Sequence, residues 1–117
     1  MLRVSLLIAT LVALVGVVAG PSVAARAHAT GTAVTVTATE FHFKLSKTSV
    51  QHGSVTFTLK NAGKLGHDFK IGGKKTPVIK PGKSAKLTVT LKAGKQAYSC
   101  TVPGHAAAGM KGSLKVK

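Results

Sequence analysis

The chain has 117 residues, and its 17 Lys and Arg side chains face only Glu40 and Asp68, giving a formal net charge of +15. That length allows one domain and excludes a multidomain assembly. One cysteine, Cys100, excludes an intramolecular disulfide framework.

Residues 1–29 read as a secretory signal peptide. Arg3 supplies a short positive region, Val4 to Ala19 is an apolar run broken only by Ser5, Thr10 and Gly16, and Ala25, Ala27 and Ala29 offer small-residue cleavage points. The run is shorter than the ~20 residues of a comfortable membrane span, and a retained N-terminal anchor is the alternative. Losing Arg3 and Arg26 with this segment takes the formal charge from +15 to +13. An exported chain rarely meets nucleic acid, so this charge points to acidic proteins or an anionic cell surface as partners. The lysines are also spread through every strand and turn, which fits a plain solvated exterior equally well.

Residues 30–117 form the expected domain, and the pattern there has period two. Val34, Val36 and Ala38 alternate with threonines, Phe41, Phe43 and Leu45 with His42 and Lys44, and Val55, Phe57 and Leu59 with Thr56, Thr58 and Lys60. Phe69 and Ile71 follow, then Ala85 to Leu91, Ala97 leading to Cys100, and Leu114 with Val116. Turn signals separate them at Gly53, Asn61 to Gly63, Gly72-Gly73, Pro81-Gly82, Ala93-Gly94 and Pro103-Gly104. About seven half-buried antiparallel strands and no helical stretch predict an all-β Greek-key sandwich.

Chemistry gathers in the last third of the chain. Cys100, His105 and Met110 are each separated by four residues in one Gly/Pro-containing segment, and His67 precedes them in another strand. That order suits a trigonal His₂Cys copper centre with a weak axial thioether: soft sulfur stabilises Cu(I) while imidazoles suit Cu(II). Zinc also takes Cys and His, but a thioether is a poor zinc ligand. Taken singly, Cys100 reads as a buried apolar residue, Met110 as a gap filler and His105 as a loop residue. His42 falls on a polar strand face, His52 in a turn and His28 within the signal.

These residues resemble the cupredoxin, or small blue copper, family, and the resemblance spans Ala33 to Lys117. It implies ligation of one copper ion by His67, Cys100, His105 and Met110 and electron transfer through His105. A surface of Pro103, Gly104, Ala106, Ala107 and Ala108 would then admit a redox partner closely, and Lys64, Lys74, Lys75 and Lys111 could steer an acidic one. It also implies a supporting pair beyond the ligands. Asp68 stands where the family commonly has asparagine, with Thr101 as its expected partner, and the change adds a negative charge near the metal. Cys100 is flanked by Ser99 and Thr101 and no His-x-His pair is present, unlike multicopper oxidases, so a carrier with one mononuclear site is expected rather than an enzyme, and the chain is expected to act as a monomer. The alternative is a module that sequesters or delivers copper without redox cycling, and a third reading is a basic sandwich that adheres to anionic surface polymers.

Overall fold

The computed structural model describes Gly16 and residues 31–117; the expected signal peptide, residues 1–29, lies outside the described residues apart from Gly16. The elements are β1 (Thr32–Thr39), β2 (His42–Leu45), β3 (Ser49–Val50), β4 (Gly53–Asn61), β5 (Lys70–Ile71), β6 (Lys74–Lys75), β7 (Ser84–Leu91), β8 (Gly94–Ser99) and β9 (Lys111–Val116). They form two sheets, ordered β2-β1-β4-β7 and β3-β9-β8-β5-β6. The all-β sandwich expected from the alternation is what the chain builds.

Alternation explains which face each strand buries. In β4, Val55, Phe57 and Leu59 are fully buried while the intervening threonines stay at the surface, and β1 does the same with Val34, Val36 and Ala38. Outside, Thr56 and Thr88 hydroxyls hydrogen-bond across β4 and β7 at 2.9 Å. Between the sheets, Phe69 stacks against Phe43 and Phe57 of the first sheet and Tyr98 of the second, with ring centroids 5.1–5.5 Å apart.

Four expectations need correction. The sheets are mixed rather than antiparallel throughout: β1 pairs with β4 in parallel and β3 with β9 in parallel. Two-residue strands β3 and β6 bring the described strands to nine instead of about seven, because so short a pairing leaves no periodic trace. Phe41 does not alternate into the core with Phe43. It occupies the second position of the two-residue hairpin loop between β1 and β2, with φ of 59° and 41 % of its surface exposed. Ala97 likewise faces solvent, while Gln96, Tyr98 and Cys100 turn inward.

Register places three loops at one end of the sandwich. Ala38 pairs with Asn61 and Lys60 with Ser84, while Ser99 pairs with Lys111. The β1–β2 hairpin loop, the segment from Asn61 to His67 and the loop from Cys100 to Met110 therefore meet there. Among the described residues, no helix is long and apolar enough to cross a membrane.

Candidate metal centre

His67 is held by backbone on both sides of its peptide: its N–H donates to Ile79 O at 3.2 Å, and Ile79 N–H donates to His67 O at 2.8 Å. Upstream, the buried Asn61 side chain organises the turn, donating to Leu65 O and Ile79 O and accepting from Gly63 N–H. Sequence reading marked Asn61 only as a turn residue.

The Cys100–Met110 loop closes on itself. Cys100 N–H donates to Met110 O at 3.0 Å, and Met110 N–H donates to His105 O at 3.1 Å. Gly104 and Gly109 take φ of 83° and 121°, a region that side chains rarely adopt, so glycine at these positions lets the loop curl inward. A Cβ on Gly109 would also crowd Phe41 O at 3.2 Å.

Folding brings His67, Cys100 and His105 together, all buried, with one donor atom from each lying within 4.8 Å of the others. His67 Nδ1 and His105 Nδ1 are 3.1 Å apart, and Cys100 Sγ is 3.6 Å from His105 Nδ1. Met110 is fully buried in the core beneath the same loop. His105, at 8 % exposure, is the one of the four nearest to solvent. Two imidazole nitrogens and a thiol converging in a buried space are a donor set that fits copper, whose softer and harder states each find a matching ligand.

Asp68 and Thr101 also meet. Asp68 Oδ1 accepts the Thr101 N–H at 2.6 Å and Oδ2 accepts the Thr101 hydroxyl, so the carboxylate ties the His67 segment to the Cys100 segment. Burial pushes the Cys100 thiol above its ordinary value; the Asp68 carboxylate adds to this, while the N–H groups of Asp68 and Val102 aimed at the sulfur oppose it.

Glu40 is the functional candidate that sequence reading missed. Its Oε1 accepts N–H groups from Lys64 and Leu65 and lies 3.3 Å from His67 Nε2. The Leu65 and Lys64 donors hold its carboxyl down at about 2. No local pattern ties Glu40 to His67, since it lies 27 positions upstream. From the same loop, Phe41 packs edge-on against His105 with centroids 5.3 Å apart. His42 and His52 lie at exposed positions outside the cluster, and His52 Nδ1 instead approaches Lys117 O at 2.8 Å.

Comparisons with known proteins bear on the family and the fold. The Cupredoxin-like domain profile matches residues 7–114. A copper-resistant cuproprotein, CopI, of Pseudomonas aeruginosa is 28 % identical over 80 % of this chain and 80 % of its own length. Its namesake in Vibrio cholerae is 29 % identical over 63 % of this chain and 57 % of its own. Among solved structures, auracyanin from Roseiflexus castenholzii superposes with a TM-score of 0.63 at 23 % identity, covering 74 % of this chain and 97 % of that one. An azurin from Methylomonas sp. strain J gives a TM-score of 0.59 at 19 % identity, covering 74 % and 98 %.

Proposed function

The chain belongs to the Cupredoxin-like domain family, and from that premise we propose that it is an exported mononuclear blue copper protein that passes single electrons between redox partners. Copper is the cofactor, on the family, the copper-binding relatives and the His67, Cys100 and His105 cluster. His67, Cys100 and His105 are the proposed strong ligands, with Met110 as the weak axial one. The observation that carries the reading is the convergence of those three buried donors from two separate segments. When bound, copper supplies one-electron exchange between Cu(I) and Cu(II).

The protein's part is to keep the donors fixed in both states. The His67–Ile79 bridge, the Asp68–Thr101 tie and the closed loop from Cys100 to Met110 restrain each ligand's backbone, so little reorganisation accompanies electron gain or loss. Burial of His67, Cys100 and Met110 excludes water from the site. His105 lies closest to the surface and is the proposed exit route, beside the exposed Pro103, Gly104, Ala107 and Ala108. A small apolar contact of this kind suits a short-lived redox encounter. The partners are proposed to be acidic, and the protein to act as a monomer.

A second reading is favoured by one specific observation: both curated relatives carry the name copper-resistant cuproprotein. On that reading the site holds copper to limit its toxicity, and redox cycling is secondary.

Visible absorption of the purified protein after Cu(II) loading tests the site, with Cys100→Ser as control. An intense thiolate-to-copper band in the wild type, bleached reversibly by reductant and missing from Cys100→Ser, is expected. Only a weak band, or oxidation to a disulfide dimer, would remove the blue-copper reading. Electron exchange faster than copper loss to a competing chelator favours the carrier; the reverse order favours copper handling.

A further inference from the structure

Glu40 lies against the side of His67 that faces away from the ligand cluster. Its Oε1 is fixed by the N–H groups of Lys64 at 2.5 Å and Leu65 at 2.8 Å, and it sits 3.3 Å from His67 Nε2. A carboxylate can only accept, so the proton of a neutral imidazole belongs on Nε2 and the lone pair on Nδ1. Nδ1 is the atom that faces His105 across 3.1 Å. The contact is also sterically built. A Cβ at Gly63 would stand 3.0 Å from His67 Nε2 and collide with the Glu40 carboxylate, so only glycine lets the two groups approach there.

We propose that Glu40 is a positioning residue that sets the tautomer of His67 and, through its negative charge, favours Cu(II) over Cu(I) in the site. The inference rests on the copper reading and deepens it. A carboxylate accepting from the far nitrogen of a ligating imidazole fixes the ring and raises the basicity of the near nitrogen. Greater basicity, together with a nearby negative charge, stabilises the more highly charged ion most. Glu40 reaches the site from the β1–β2 loop, which carries none of the four proposed ligands, so this effect is separable from the ligand loop.

Two variants separate charge from shape. Glu40→Gln keeps an oxygen able to accept from Lys64, Leu65 and His67 and removes the charge, whereas Glu40→Ala removes both. In the metal-free wild type, ¹⁵N NMR of the histidine rings should find His67 protonated at Nε2. Glu40→Ala should lose that preference. In copper-loaded protein, Glu40→Gln should weaken Cu(II) affinity on the order of tenfold, the lower end of what loss of such a partner costs. Cu(I) affinity should change much less, and a tenfold difference between the two states raises the reduction potential by about 59 mV.

Equal losses of Cu(I) and Cu(II) affinity in Glu40→Gln, with the potential unmoved, would reduce Glu40 to an anchor of the Lys64–Leu65 turn and overturn the proposal. A wild-type His67 protonated at Nδ1 would overturn it as well. Wild-type protein that fails to take up Cu(II) at all would instead sink the copper reading, and the charge effect with it. The ring-nitrogen result in metal-free protein tells these failures apart.

Discussion

Glu40 and Cys100 are displaced in opposite directions, and each displacement has an observable consequence. Backbone donors lower Glu40 from 4.5 to about 2. A depressed carboxyl contributes stability that is fully present above the unfolded value near 4.5 and is lost as pH falls toward 2. Thermal melts of metal-free protein should therefore show the wild type exceeding Glu40→Gln by a margin that is constant at neutral pH and narrows across that acid window. A margin independent of pH would mean that the carboxylate is not held ionised by those donors. Cys100 runs the other way, because burial penalises the thiolate. In metal-free folded protein, Cys100 should react with an alkylating reagent at pH 8 far more slowly than after unfolding, since both access and thiolate fraction are reduced. Copper loading must remove that proton, so uptake should release acid into a weakly buffered solution. Labelling at the same rate in folded and unfolded protein would contradict the buried position.

The β1–β2 hairpin shows what an element can impose on a residue. Phe41 holds φ at 59°, a conformation that is a genuine outlier for a bulky side chain, while its ring packs on His105. Replacing it by Ala and by Gly separates ring from backbone: both lose the ring, but only Gly relieves the left-handed conformation. Phe41→Gly should melt higher than Phe41→Ala, by roughly 1 kcal/mol, the reverse of the usual order of these residues in regular structure. Equal stabilities would mean that the loop relaxes and the φ carries no strain. This same hairpin marks the limit of sequence reading. Alternation located β1, β4 and β7 because each is long enough to repeat a period, and the two faces of such a strand meet different surroundings. It set Phe41 inward because period two cannot see a turn that uses an aromatic residue where Gly or Asn is usual. Parallel pairing of β1 with β4 was invisible for a related reason, since the side-chain pattern of a half-buried strand does not record its neighbour's direction. His67, Cys100 and His105, which the fold brings together, stood out beside Met110 in the sequence because ligand chemistry restricts residue type and spacing. Glu40 was not, because a carboxylate 27 residues upstream of its histidine acts only through the tertiary fold.

At the scale of the whole molecule, a small core and a large charge oppose each other. Phe57 is fully buried and touches Phe69, which directly follows His67-Asp68, so the aromatic core supports the site. Phe57→Ala should cost about 3–5 kcal/mol, a large share of the ~5–15 kcal/mol total of a typical domain. Copper should stabilise wild type and variant alike: a ligand at a thousand times its Kd adds about 4.1 kcal/mol if it binds only the folded state. The melting gap between wild type and Phe57→Ala should therefore persist when both are copper-loaded, with both curves moved upward together. Charge acts at longer range. Residues 30–117 carry 15 lysines against Glu40 and Asp68, a formal +13, so encounter with the proposed acidic redox partner should be steered and sensitive to salt. The Debye length shrinks from roughly 10 Å at 0.1 M to 3 Å at 1 M, and the bimolecular electron-transfer rate should fall by at least about tenfold as salt rises from 10 mM to 1 M. Position matters as well as total. Lys64 lies beside Glu40 and Lys111 follows Met110 at the site end, whereas Lys92 lies past Leu91, whose partner Gly53 begins β4 at the opposite end. Lys64→Glu with Lys111→Glu should slow the low-salt rate more than twice as much, on a logarithmic scale, as Lys92→Glu alone, with both variants and the wild type converging at high salt. Equal effects per charge would show that the field of the whole molecule, rather than the lysines around the site, guides the partner.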